Sequence, residues 1–284
     1  MSKVILVGVD FSDCSINALE HAITIARRAK TGIAMVWINH LDYSKEIFSI
    51  EPKNLENEVS RRFEELTKKY KFQIKESNIK YYIRKGKVYK EVCKLAKDLE
   101  AFMVVIGTHG SSGFEEFWIG SNANRIVSAC DIPAITIRGG IDIGSDLKKI
   151  VLPLDSTRLT RQKMPLTGLL AKYFLSEVHI LGLFSTTSDD IRYRIRNYVA
   201  QAEEYMEENN IRYKSSFVEA DNITEETINY ANKIEANLIC IMTEQEISAA
   251  NLLLGPYASQ MVNHSPIPVL SIKQIGRASC RERV

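Results

Sequence analysis

Between residues 107 and 121 the chain reads Gly107-Thr108-His109-Gly110, then nine residues, then Gly120-Ser121. This Gly-x2-Gly-x9-Gly-Ser spacing suits anion binding. Gly107 closes an apolar run, and Gly110 lets the backbone turn and come close to a ligand. Gly120-Ser121 opens a helical pattern, whose unpaired N–H groups and positive dipole end attract phosphate. The Ser121 hydroxyl adds a donor. A second candidate is Asp10, which ends the first apolar run and precedes Phe11-Ser12. Its carboxylate can accept hydrogen bonds from a ribose or an adenine edge. Equally, Asp10 or Ser12 can cap the helix that follows. A glycine-rich turn with an ordinary N-cap is the plain alternative for residues 107–121, since three glycines without context are weak evidence.

Other residues of chemical interest carry less. His109 lies within the loop with no nucleophile or acid–base partner near it in sequence, so it reads as a loop histidine rather than a catalytic one. Trp37 and Trp118 read as packing residues. Cys14, Cys93, Cys130, Cys240 and Cys280 are scattered and form no Cys-x-x-Cys pair. That argues against a disulfide framework or a zinc site and suits a reducing cytoplasm. The first four read as small buried hydrophobes.

The elements that must position these groups alternate between strand and helix patterns, as in a parallel α/β sheet. In the first half, strands are expected at Lys3–Val9, Gly32–Asn39, Ile79–Arg84, Phe102–Gly107 and Ala134–Arg138. Helices are expected at Ser15–Ala29, Leu55–Tyr70, Val88–Leu99 and Ser121–Ala129. Runs such as Val4-Ile5-Leu6-Val7 and Met103-Val104-Val105-Ile106 are apolar throughout, as strands covered on both faces require. Glu56 to Lys69 reads as an amphipathic helix with a solvated face.

The chain also repeats itself. Shifted by 145, Lys3–Asp10 lies over Lys148–Asp155, Ala26 over Ala171, and Ile33–Ile38 over Val178–Leu183. From about residue 80 the shift becomes 135. It then places Ala96 on Ala231, Thr108 on Thr243, Gly120 on Gly255, Val127 on Val262 and Ile132-Pro133 on Ile267-Pro268. Two gap-free registers around one deletion indicate a tandem duplication. The expected domains are residues 1–140 and 147–273, joined through the glycine-containing stretch Gly139–Ser145. Residues 274–284 resemble translated sequencing adapter and are expected to be a non-native tail. Pro165, aligned with Glu20, predicts a late start or a kink in the second half's first helix.

The 284 residues suit two domains, and 45% hydrophobic with 25% charged residues is ordinary globular composition. No apolar run reaches the roughly 18 residues of a membrane helix. Net charge is +2, and it falls to zero without the tail's three Arg and one Glu. No partnership with nucleic acid or an anionic membrane is expected.

With the glycine spacing, the flanking strand and helix, and the ending Asp131–Arg138, the chain up to Lys273 resembles a tandem universal stress protein. The resemblance implies two open, five-stranded parallel sheets with helices on both faces. This is a Rossmann-like, adenine nucleotide alpha hydrolase-like fold, with the halves packed as a pseudo-dimer. It implies ATP as the ligand of the first half. Asp10 and Ser12 would lie at the adenosine, Ile38 in the adenine pocket, and Gly107, Gly110, Gly120, Ser121 and Asn122 at ribose and phosphates. Ser111-Ser112 stand where many relatives carry a basic residue. Glu115 and Glu116 make the loop acidic, so reduced affinity is expected unless Mg²⁺ bridges the phosphates.

In the second half, Met242, Gln245 and Pro256 replace Gly107, Gly110 and Ser121, so the site is expected to be degenerate. Asp155 there is expected to be a helix cap. A nucleotide-dependent, non-enzymatic stress-response protein of the cytoplasm is the favoured reading. An adenylate-forming or slowly ATP-hydrolysing enzyme, or a nucleotide-free scaffold, are its alternatives. A protein partner and further homodimerisation stay open.

Overall fold

A computed structural model describes residues 4–39, 52–74, 78–108, 120–138, 146–243, 245–248 and 251–273. The chain divides into two compact units, residues 1–140 and 141–284. The first unit runs β1 (Val4–Gly8), α1 (Asp13–Ala29), β2 (Gly32–Asn39), α2 (Pro52–Tyr70), β3 (Ile79–Lys85), α3 (Val88–Asp98), β4 (Met103–Gly107), α4 (Ser121–Ala129) and β5 (Ala134–Ile137). Its strands lie in the order β3-β2-β1-β4-β5, all parallel. The observed elements match the expected ones to within a residue or two, except that α2 begins three residues earlier, at Pro52.

The second unit runs β6 (Lys149–Leu154), a 3₁₀ turn (Thr160–Lys163), α5 (Met164–Phe174), β7 (Glu177–Phe184), α6 (Asp189–Glu208), β8 (Arg212–Glu219), α7 (Ile223–Lys233), β9 (Leu238–Thr243), β10 (Gln245–Ser248), β11 (Asn251–Leu254), α8 (Pro256–His264) and β12 (Val269–Lys273). Its parallel strands follow the order β12-β9-β6-β7-β8. The helices cover both faces of the sheets. Among the described residues, no helix is long and apolar enough to cross a membrane.

Burial explains the strand sequences. Ile5, Leu6, Val7, Met103, Val104 and Val105 are fully buried, each contributing about 1.5–3 kcal/mol by leaving water. β3, at one margin of its sheet, exposes Lys80, Arg84 and Lys85, charges that discourage pairing with another chain. On α2, Leu55, Val59, Phe63 and Tyr70 are buried. Glu58 pairs with Arg61 and Arg62 on the solvated face.

The duplication reaches individual hydrogen bonds. The Val104 N–H donates to the Pro133 carbonyl at 2.9 Å, and Ile239 to Pro268 at 3.0 Å. Ala101 donates to Ala96 at 2.8 Å, as Ala236 does to Ala231 at 2.9 Å. Lys30 and Leu175 both end their helices in the left-handed region, at φ +53° and +55°. Pro165 acts as expected. The second unit's first helix starts late, as a 3₁₀ turn followed by α5 with the proline in its first turn.

The reading of the cysteines fails at one pair. Cys93 and Cys130 are not separate hydrophobes but form a disulfide, with Cα atoms 5.1 Å apart. The partners are 37 residues apart, and the packing of α3 on α4 brings them together, so their spacing along the chain carried no sign of the bond. Cys14 and Cys240 are buried as expected and lie outside the disulfide. Burial pushes the Cys240 thiol up to about 12, so it stays protonated.

Candidate functional site

Strand order decides where the first unit can bind. The chain lays β2 and β3 on one side of β1, then crosses to place β4 and β5 on the other. The switch falls between β1 and β4, and open parallel sheets bind ligands outside the carboxyl ends at such a point. Val7 pairs with Val105 across that seam, so Asp10 and Gly107 leave neighbouring strand ends.

Asp10 is exposed there. Its Oδ1 accepts from the Ser12 N–H at 3.0 Å and the Ser12 hydroxyl at 2.5 Å. Ser12 is the helix cap, its oxygen accepting from the Ser15 N–H. Asp10 therefore supports the cap while its residue is exposed to solvent. Between them Phe11 holds φ +65°, a left-handed conformation that a bulky residue adopts only when its surroundings enforce it. The Phe11 ring meets Phe63 at 5.1 Å and lies under the Arg62 guanidinium at 5.4 Å.

Ile38 is half-buried near the end of β2, opposite Arg84 of β3. It lies across β1 from the glycine residues. Gly107 ends β4 against the start of α1. The Gly120 N–H donates to the Thr108 carbonyl at 2.6 Å, and a Cβ on Gly120 would meet that oxygen at 3.1 Å. Gly120 thus holds the beginning of α4 against the end of β4. It offers no side chain to the helix's first turn, where Ser121 and Asn122 are exposed. Gly110, His109, Ser111, Ser112, Glu115, Glu116 and Trp118 lie outside the described residues.

Two buried oxygens complete the picture. Among the described residues, the Oδ1 atoms of Asn39, at the end of β2, and Asn124, in the first turn of α4, have no hydrogen-bond partner. Leaving such an acceptor unmet costs about 1–3 kcal/mol, so both fit a ligand donor such as an amino group or a ribose hydroxyl. Neither residue stood out in the sequence, where asparagine at a strand end or in a helix is unremarked.

The corresponding ends of the second unit differ. Asp155 Oδ1 accepts from the Thr157 N–H at 2.9 Å and its hydroxyl at 2.6 Å. This repeats the turn at Asp10, but Asp155 is not a helix cap, because α5 begins only at Met164. Met242 is buried at the end of β9. Gln245 opens a β10–β11 hairpin in which it pairs with Leu254. Pro256 is the first residue of α8 and lacks an N–H.

The sequence profile of the universal stress protein family matches residues 1–138 and 178–273. Universal stress protein G of Shigella flexneri is 29% identical over 143 residues, covering 49% of this chain and 100% of the relative. Universal stress protein MJ0531 of Methanocaldococcus jannaschii is 25% identical over 139 residues, covering 48% and 82%. Among solved structures, a universal stress protein from Archaeoglobus fulgidus superimposes with a TM-score of 0.73 at 17% identity. The match covers 96% of this chain and 99% of that one, and it shows the shared fold.

Proposed function

The chain belongs to the universal stress protein family, and from that premise we propose that its first half binds ATP and that occupancy, not catalysis, is its signal in a stress response. The observation that carries this reading is the start of α4, held by Gly120 against the end of β4, the strand that pairs with the one leading to Asp10. Phosphates would meet the N–H groups and hydroxyl of Ser121 and Asn122 at the positive end of the helix dipole. The Asp10 carboxylate would accept a ribose hydroxyl, and Ile38 would flank the base. Asn39 and Asn124 supply buried acceptors for adenosine donors. Mg²⁺, if carried with the nucleotide, would offset the negative charge of Glu115 and Glu116.

The second half serves structure or regulation under this reading. Pro256 withdraws an N–H from the helix start, and the β10–β11 hairpin occupies the positions aligned with residues 110–119. Mass analysis of nucleotide released from freshly purified, denatured protein, together with titration calorimetry, tests both points. The expected result is ATP at one per chain. A stoichiometry near two would reject the asymmetry, and no binding would reject the site.

A further inference from the structure

We propose that the Cys93–Cys130 disulfide is a redox control on this site: a dithiol reductant that opens it loosens α4 and weakens nucleotide binding at the helix's other end. The inference rests on the reading of α4 as the phosphate-binding helix. Cys130 is the C-cap of α4 and is 2% exposed, whereas Cys93 on α3 is partly exposed. α4 has nine residues, too few to hold its own conformation without packing or tethers. It is tethered at both ends, by Gly120 to Thr108 and by Cys130 to Cys93.

The bond also closes a loop that contains the whole glycine pattern, Gly107, Gly110, Gly120 and Ser121. The second half, which lacks that pattern, lacks the bond as well. Ile228 and Ser265 occupy the equivalent positions, and α7 meets α8 instead through the Thr224 hydroxyl donating to Gln260 Oε1 at 3.0 Å. The covalent tie and the anion pattern therefore occur in the same copy of the repeat.

The chemistry balances as an exchange. A thiolate of the reductant attacks the reachable Cys93 sulfur, the S–S bond breaks, and its electron pair passes to Cys130, which takes up a proton. At the negative end of the α4 dipole that thiolate is disfavoured, so protonation is favoured. The second thiol of the reductant then displaces Cys93, which is also protonated. Two electrons and two protons have entered the protein, and the reductant has become a disulfide. A released α4 must be ordered again when phosphate binds, and that ordering lowers affinity.

The full chain, purified without reductant, is the material for the test. Differential alkylation with mass spectrometry should find Cys93 linked to Cys130; if both alkylate as free thiols, the proposal is overturned. ATP affinity is then compared between the oxidised chain, the chain after dithiothreitol, and the Cys93→Ser/Cys130→Ser chain. Reduction and double substitution should each weaken binding about fivefold or more, and dithiothreitol should leave the variant unchanged. Hydrogen exchange of residues 121–129 without nucleotide should accelerate on reduction. Equal affinity in the oxidised and demonstrably reduced chain would overturn the coupling while leaving the ATP reading intact. Binding by neither form would overturn the ATP reading and the coupling with it.

Discussion

A Cβ added at Gly107 would stand 2.8 Å from the Cys14 sulfur and 3.1 Å from the Cys14 carbonyl carbon and oxygen. The end of β4 and the start of α1 are thus in contact at a position where the glycine pattern alone suggests only room for a ligand. Gly107→Ala is expected to lower stability by about 1–3 kcal/mol through overpacking. Adding Cys14→Ala should recover only part of that loss, because the backbone contacts remain. Denaturant midpoints of the single and double variants, compared as a cycle, measure the coupling.

The two duties assigned to the Asp10 turn are separable. Asp10→Asn keeps an oxygen for Ser12, so stability should hold while ATP affinity falls about tenfold with loss of the charged acceptor. Ser12→Ala removes the α1 cap and should lower stability by about 1 kcal/mol. Thermal unfolding and calorimetric titration of both variants would show the reverse pattern if Asp10 served only the fold.

His21 is fully buried on α1, and among the described residues neither ring nitrogen has a hydrogen-bond partner. Burial lowers its pKa from 6.5 to about 4. Between those values the unfolded chain holds a proton that the folded chain does not. Stability is therefore retained above about pH 6.5, declines as pH falls, and has lost about 3 kcal/mol from this group by about pH 4. His21→Leu should flatten that part of the profile in urea denaturation across pH 4–7. An unchanged slope would assign the acid sensitivity elsewhere.

Opening the Cys93–Cys130 loop should also matter for folding apart from any ligand. With partners 37 residues apart, chain-entropy reasoning gives about 3–4 kcal/mol of stabilisation. The Cys93→Ser/Cys130→Ser chain should therefore unfold at lower denaturant in the absence of ATP, and an unshifted midpoint would contradict that contribution.

Local pattern was enough for the repeat, the strands and the helices, because burial on both faces demands unbroken apolar runs and because helix starts and stops have short-range signals. Pro165 and Ser12 belong to that class, since each acts on its own neighbours. Tertiary structure alone decided the rest. Cys93 and Cys130 join because two helices pack, Gly107 is required because Cys14 comes from another element, and Asn39 and Asn124 matter because burial leaves their oxygens unmet. Asp155 repeats the turn of Asp10 yet caps nothing, because the helix after it starts late. Distance between residues far apart in the chain is set by the path of the sheet, and no spacing along the sequence encodes it.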